Sequence, residues 1–82
     1  MKYSIEFKPR AVKDFETIPS RTQQRILARI EEMSENLTGD VKRLTDSSPE
    51  YRLRVGDYRV LFEIKGDAII IYRIRHRREA YR

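Results

Sequence analysis

The stretch YRLRVGDYRVLFEI, residues 51–64, alternates apolar and charged side chains on both sides of a Gly-Asp pair. A period of two is typical of a half-buried strand. Two such runs separated by Gly56-Asp57 indicate a β-hairpin with a two-residue turn. In that register Arg54 lies directly opposite Arg59. The stretch therefore predicts a hairpin with one apolar face and one face rich in arginine.

The two faces of this hairpin differ sharply in charge. We expect one face to carry Arg52, Arg54, Arg59 and Glu63, and the other to carry Tyr51, Leu53, Val60 and Phe62. Like charges directly opposite one another destabilise a strand pair. Arg54 against Arg59 is thus a cost that folding alone does not explain, and an anion held between them would remove it. Two other interpretations stay open: Glu63 neutralises the group, or the turn differs by one residue and separates the pair.

The segments before the hairpin predict one strand and two helices. Residues 3–7 alternate as a strand does, and Pro9 suits the first turn of a helix. Apolar residues then recur at helical spacing in two groups: Ala11, Val12, Phe15 and Ile18, and later Ile26, Leu27, Ile30, Met33 and Leu37. Ser20 and Gln23 have the spacing of a capping box for the second helix. Gly39 is the expected left-handed residue at its end.

The segment 68–74 is too continuously apolar for a strand with one solvated face, which predicts a central strand. Residues 40–50 form a polar loop in which residues 41–44 are ambiguous. The predicted fold class is α+β: an N-terminal strand, a helical hairpin and an antiparallel three-strand meander, with both helices packed on one face of the sheet. The N-terminal strand is expected at an edge. A chain of 82 residues is expected to form a single domain, residues 1–82.

Composition excludes several classes of site. The chain has no cysteine, so it has neither disulfides nor cysteine-ligated metal clusters. It has one histidine, His76, and no nearby group of carboxylates to complete a zinc site. We therefore expect no metal and no cofactor. No apolar run approaches the roughly 20 residues of a membrane span, and no signal peptide is evident, so we expect a cytoplasmic protein without a membrane partner.

The positive charge is concentrated in the C-terminal part. The net charge is +5, and residues 51–82 carry nine Lys/Arg against four Asp/Glu, whereas residues 1–50 carry nine of each. Eight of the nine cations in the C-terminal part are arginines, which bind phosphate through paired donors. This favours a nucleic acid as partner over a merely solvated basic surface.

The last residues add further groups that suit metal-free cleavage of RNA. If the tail folds back across the arginine face, one site would combine the arginines Arg52, Arg54, Arg59, Arg75 and Arg77 with His76 and Tyr81. Arginines stabilise the charge that develops on a phosphate under attack. His76 or Tyr81 could transfer a proton. The ribose 2′-hydroxyl would be the nucleophile, leaving a cyclic phosphate and a free 5′-hydroxyl.

Three segments resemble the RelE/ParE toxin superfamily, on its RelE side. They are FKPRAVKDFETIP (residues 7–19), YRLRVGDYRVLFEI (residues 51–64) and IRHRREAYR (residues 74–82), and the resemblance covers essentially the whole chain. It implies a compact toxin of a type II toxin–antitoxin system that cleaves mRNA in the ribosomal A site. It also implies a cognate RelB-like antitoxin that wraps and blocks the toxin.

The resemblance also implies roles for the site residues. Arg52 and Arg54 occupy positions where many RelE toxins have two lysines, one of them often assigned as general base; arginine keeps the charge but hardly deprotonates. Arg59 matches the arginine that stabilises the transition state. Arg75 or Arg77 matches the arginine at the end of the last strand. Tyr81 matches the C-terminal tyrosine that stacks on a base or assists proton transfer, and His76 is placed to take over the base role.

Two other functions remain open at this point. A ParE-like toxin shares the fold but inhibits DNA gyrase and cuts no RNA. A decayed toxin would only bind RNA or its antitoxin. The Arg54/Arg59 pair with His76 and Tyr81 favours the RNase, whereas arginines at the usual lysine positions leave the alternatives open.

Overall fold

The computed structural model describes residues 2–44 and 49–79, which form two helices and five strands. In chain order these are β1 (Ser4–Phe7), α1 (Pro9–Glu16), α2 (Ser20–Asn36), β2 (Val41–Arg43), β3 (Tyr51–Val55), β4 (Tyr58–Lys65) and β5 (Ala68–His76). The strand–helix–helix–meander order predicted from the sequence is confirmed. No helix in the described part of the chain is long and apolar enough to cross a membrane.

The five strands form one mixed sheet in the order β1-β5-β4-β3-β2. Strand β1 lies at an edge, as expected, and runs parallel to β5. The other neighbours are antiparallel. The ambiguous segment after α2 contributes β2, so the antiparallel part has four strands rather than three. Val41, directly opposite Leu53 in β3, packs against the core and stabilises this short edge strand.

The predicted hairpin register is confirmed at every pair, including Arg54 opposite Arg59. Gly56 has φ +59°. A glycine with positive φ in the first position is what a type II′ turn requires. The order Gly-Asp is therefore the appropriate one for this turn, and it fixes which residues of β3 and β4 face each other.

A β-bulge in β5 changes which of its side chains share a face. Leu61 pairs with Arg73, but the next residue, Phe62, pairs with Ile71, so Tyr72 is an extra residue in β5. Successive side chains of a strand alternate between faces, and one extra residue reverses that alternation. Ile71 consequently packs in the core on the helix side while Arg73 and Arg75 belong to the opposite face.

Both helices pack on one face of the sheet, as predicted. The core between the layers consists of Ala11, Ile18, Ile26, Ile30, Met33, Leu53, Val55, Val60, Phe62, Ile69, Ile71 and Ile74. Phe62 is completely buried, and its ring stacks on that of Tyr51 with centroids 5.4 Å apart. Val12 and Leu27, which were expected in the apolar stripes, are instead 43% and 44% exposed. The preceding residue in each helix, Ala11 or Ile26, is fully buried instead. The buried stripe of each helix therefore contains fewer residues than its apolar stripe in the sequence.

The helix ends differ from the predicted caps. Ser20 is the first residue of α2 and makes no capping hydrogen bond; the cap position is Pro19. Gln23 instead donates its side-chain N–H to the carbonyl of Phe15 at 2.8 Å, which ties the start of α2 to the end of α1. At the other end the residue that caps α2 is Leu37, with φ +57°, and Gly39, two residues further on, also has a positive φ, +105°. The N–H of Leu37 still bonds the carbonyl of Met33, and its side chain packs on the core.

Candidate functional site

Three arginines lie side by side on the sheet face opposite the helices. Arg54 in β3 pairs with Arg59 in β4, and Arg59 pairs with Arg75 in β5. Neighbouring strands are about 4.8 Å apart, so the three backbones span roughly 10 Å. We call Arg54, Arg59 and Arg75 the arginine row. The sequence predicted its first pair, and the bulge in β5 supplies its third member.

Arg59, in the centre of the row, has only backbone carbonyls as partners among the described residues. Its Nη1 donates to the carbonyls of Gly56 at 3.3 Å and Tyr58 at 3.2 Å, while its Nε is buried with no partner in the described part of the chain. A buried donor left unpaired costs roughly 1–3 kcal/mol. Arg59 therefore has hydrogen-bond donors left for an anion.

Arg52 lies two residues before Arg54 in β3 and therefore on the same face. Its guanidinium, with a side chain only 14% exposed, donates to the backbone carbonyl and the carboxylate of Asp40, at 3.0 and 3.2 Å. Its Nε is also buried without a partner in the described residues. Arg52 thus flanks the arginine row and holds the segment before β2 against β3.

His76 ends β5 but lies on the opposite face from the row. It pairs with Tyr58, and the two rings meet edge to face with centroids 5.4 Å apart. Its Nδ1 accepts the backbone N–H of Arg78 at 3.3 Å. With that bond in place, the neutral ring carries its proton on Nε2. The sequence had suggested that His76 folds back across the arginine face. The structure instead places its ring on the opposite face, at the end of the sheet.

Arg75 and Arg77 in the tail each pair with a carboxylate. Arg75 donates to Glu79 at 3.3 Å, and Arg77 lies 3.8 Å from the carboxylate of Asp57. The backbone of Arg77 also donates to the Asp57 carbonyl at 2.6 Å. These contacts fix the turn after β5 against the turn between β3 and β4.

Two concave surfaces meet at this end of the sheet. An open one of about 650 Å³ is lined by Asp57, His76, Arg77, Arg78 and Glu79. A smaller cleft of about 160 Å³ is lined by Asp14, Thr17, Ile18, Tyr58, Arg73, Ile74, Arg75, His76 and Glu79. His76 and Glu79 line both surfaces, and Arg75 connects the smaller cleft to the arginine row. Tyr81 lies outside the described residues.

Arg73 has a different role from its neighbours in the tail. It binds the carboxylate of Asp14 at 2.7 and 3.2 Å, and the same carboxylate accepts the backbone N–H of Ile74 at 3.0 Å. The pairing of β1 with β5 ends at Ile71. Beyond that point the carboxylate of Asp14 accepts the backbone N–H of Ile74, which β1 does not reach. This link between α1 and β5 was not predicted, because residues 59 positions apart show no local pattern.

The Asp14 carboxylate is stabilised in its charged form. Burial alone raises the pKa of Asp14, but the hydrogen bonds from Arg73 and Ile74, together with the attraction of Arg73 and Arg75, outweigh burial and hold the pKa below its usual value of 3.8. The same pairing raises the pKa of Arg73. The contribution of a carboxylate with a lowered pKa is present at neutral pH and is lost as the pH falls below about 4.

We therefore expect Asp14→Asn to destabilise the protein by about 1.5–3 kcal/mol at pH 7, the range for hydrogen bonds to charged groups. The difference from the parent should shrink between pH 4 and pH 2. Urea unfolding at both pH values measures this. Glu32→Gln is the matched control: its exposed pair with Arg29 should contribute less than about 0.5 kcal/mol. Equal losses for the two variants at pH 7 would contradict the role of Asp14.

The described residues contain no group of three or more histidine or carboxylate side chains that could hold a metal ion. The ionisable groups at the site are arginines, His76 and single carboxylates. What this arrangement can do is bind an anion along the arginine row, with proton-transferring groups at one end of it.

Comparison with known proteins identifies the family. Residues 5–81 match the family model for the ParE toxin of type II toxin–antitoxin systems, parDE. The chain belongs to the RelE/ParE family of type II toxins. The resemblance seen in its three sequence segments is thereby confirmed.

The relatives of this RelE/ParE chain carry RelE names. It is 36% identical to Toxin RelE3 of Methanocaldococcus jannaschii, covering 94% of this chain and 93% of that protein. Its fold is similar to the crystal structure of the RelB–RelE antitoxin–toxin complex from Methanococcus jannaschii, with 38% identity, a TM-score of 0.78, and 93% of this chain and 94% of that chain covered. The archaeal RelE–RelB complex from Pyrococcus horikoshii gives 25% identity, a TM-score of 0.79, and coverage of 98% and 100%.

Proposed function

We propose that this RelE/ParE chain is an endoribonuclease that cleaves mRNA in the ribosomal A site and thereby inhibits translation. The observation that carries the proposal is the arginine row: three cations on neighbouring strands, on a sheet face that the helices leave uncovered. Repulsion within the row opposes folding. A phosphodiester bound along it would offset that repulsion and receive the hydrogen bonds that a guanidinium offers to phosphate.

In the proposed reaction, Arg59 and its two neighbours bind the non-bridging oxygens of the scissile phosphate. The 2′-hydroxyl attacks the phosphorus, the bond to the 5′-oxygen breaks, and the products are a 2′,3′-cyclic phosphate and a 5′-hydroxyl. Charge builds up on the phosphate oxygens in the transition state, so arginines preorganised around them lower the barrier. This mechanism needs neither a metal nor a cofactor.

The other site residues are proposed to act around this centre. Arg52 and Arg77 extend the positive surface along the RNA on either side of the row. His76 is proposed to donate a hydrogen bond from Nε2 at the end of the sheet, because its Nδ1 accepts the backbone N–H of Arg78. Tyr81 is proposed to stack on a base or to assist proton transfer, as the family resemblance implies.

We further propose a RelB-like antitoxin as the partner that neutralises the toxin. The support is that two solved structures similar to this chain, those from Methanococcus jannaschii and Pyrococcus horikoshii, are complexes of RelE with RelB. An acidic antitoxin segment could cover the arginine row and so compete with RNA for the same cations.

A second candidate function is inhibition of DNA gyrase, and the family model's own description, ParE toxin of parDE, favours it. In that case the arginine row would bind a protein partner rather than a scissile phosphate. The RNase would cut mRNA in the cell, whereas the gyrase inhibitor would alter DNA supercoiling.

Induction of the chain in growing cells separates them. The RNase is expected to produce discrete new 5′ ends in translated mRNA, bearing 5′-hydroxyls, while plasmid supercoiling is unchanged. Sequencing of 5′-hydroxyl ends and gel analysis of plasmid topoisomers measure both. Growth arrest with intact mRNA and altered supercoiling would overturn the RNase in favour of the gyrase inhibitor. Undisturbed growth would indicate a decayed toxin.

A further inference from the structure

The arginine row contains no group that can remove the proton of a 2′-hydroxyl. Arginine hardly deprotonates in proteins, so Arg54, Arg59 and Arg75 can stabilise charge but cannot act as bases. The Nδ1 of His76 already accepts the backbone N–H of Arg78, which leaves Nε2 of a neutral ring as a donor rather than a base. Among the described residues, the carboxylates near the row are therefore the candidates for the base.

In the part of the chain that the structure describes, Glu79 is the carboxylate that contacts the row. Its Oε2 lies 3.3 Å from the Nη2 of Arg75, and Arg75 is the direct cross-strand neighbour of Arg59. The backbone N–H of Glu79 donates to the carbonyl of His76 at 2.8 Å, which closes the turn after β5 and orients the side chain. The Glu79 side chain is 54% exposed and lines both concave surfaces, so a bound ribose can reach it.

The other carboxylates around the site are less suitably placed. Asp14 is engaged by Arg73 and by the N–H of Ile74. Asp40 contacts Arg52, which lies outside the row. Glu63 is four residues along β4 from Arg59, roughly 13 Å at 3.3 Å per residue.

We propose that Glu79 is the general base of the reaction, an inference that rests on the proposed RNase function. Its carboxylate accepts the proton of the 2′-hydroxyl as the 2′-oxygen forms its bond to phosphorus. The bond from phosphorus to the 5′-oxygen breaks, and that oxygen takes a proton from water. Protonated Glu79 then returns its proton to solvent, so no proton is gained or lost overall.

Glu79 is expected to promote cleavage but to oppose RNA binding, because it pairs with Arg75. In the free protein the carboxylate occupies donors of Arg75 that a phosphate would use. Binding of RNA transfers those donors to the phosphate and leaves the carboxylate free beside the ribose. Removing the charge of Glu79 should therefore not weaken RNA binding, although it should slow cleavage by about 10²–10⁴-fold, the usual contribution of a general base.

The test compares four proteins on ribosomes programmed with one mRNA: the parent, Glu79→Gln, Glu79→Asp and Glu32→Gln. Glu32→Gln is the matched control, because it makes the same change at an exposed glutamate that also pairs with an arginine, Arg29, but lies on α2, away from the arginine row. Single-turnover cleavage is measured at saturating protein. Affinity is measured with an mRNA whose 2′-hydroxyl at the cleavage site is replaced by hydrogen, which binds but cannot be cut.

We expect Glu79→Gln to bind the deoxy-substituted message as tightly as the parent or up to several-fold tighter, and to cleave at least about 100-fold more slowly. Glu79→Asp should recover part of the rate, and Glu32→Gln should cleave at the parental rate. Cleavage by Glu79→Gln within threefold of the parent would overturn the role of Glu79 and leave the RNase intact. So would a rate loss matched by an equal loss of affinity, or an equal loss in Glu32→Gln. A parent that cuts nothing would instead overturn the proposed function, and the role of Glu79 with it.

Discussion

Replacement of Arg59 by alanine is expected to lower the rate of mRNA cleavage by about 10²–10³-fold, the loss found when one donor to a developing oxyanion is removed. Arg59 is the centre of the arginine row and lies directly across from both other members. Its guanidinium bonds only two backbone carbonyls, so its removal breaks no ion pair described in the structure. The fold should therefore persist while toxicity is lost.

Single-turnover cleavage and growth after induction measure this effect. Arg29→Ala is the matched control, because Arg29 is an exposed arginine of α2 that pairs with Glu32, away from the arginine row. Arg59→Lys should fall between the parent and Arg59→Ala, since lysine keeps the charge but not the planar pair of donors. Full toxicity of a folded Arg59→Ala protein would show that the arginine row is not the cleavage site.

Replacement of Phe62 by alanine is expected to give the largest loss of stability, about 3–5 kcal/mol. Phe62 is completely buried, stacks on Tyr51, and lies at the bulge where β4 changes its register with β5. A domain of this size is stabilised by only about 5–15 kcal/mol in total. The variant should therefore be largely unfolded at growth temperature, and its toxicity should fall without any change in the arginines.

Urea unfolding of Phe62→Ala at 25 °C, followed by circular dichroism, measures the loss. Val12→Ala serves as control, since Val12 is 43% exposed and its truncation should change stability by less than about 0.5 kcal/mol. A loss below about 1 kcal/mol for Phe62→Ala would mean that the layer between helices and sheet is not packed as described.

The hairpin of residues 51–64 was predictable in detail because its information is local. Alternation fixed the faces, and Gly56 with its neighbour fixed the turn, so Arg54 opposite Arg59 follows from residues close in sequence. The position of Arg75 opposite Arg59 could not be predicted from local sequence in the same way. Ile69 and Ile71 face the helices, and a regular strand would put Arg75 on that side too. Only the extra residue in β5 reverses the alternation, and the apolar run of residues 68–72 gives no sign of where it occurs.

Sequence patterns could not predict the positions of His76 and Asp14 either. His76 could be recognised as the one histidine, but its face depends on the same bulge. The contact between Asp14 and Arg73 joins a helix to a strand near the other end of the chain, and no periodicity reports such a pair. Glu79 was overlooked for a related reason: its proximity to Arg75 is created by the turn that follows β5.

The central claim is that the arginine row binds and helps to cleave mRNA on the ribosome, and it is tested most directly by mapping 5′ ends in a translating cell extract. Two messages are compared, identical except that one lacks its start codon, with parent and Arg59→Ala protein added to each. The account predicts discrete ends only on the translated message and only with the parent. Equal cutting of both messages by the parent would contradict dependence on the ribosome. Cutting by Arg59→Ala at the parental level would contradict the assignment of the site to the arginine row.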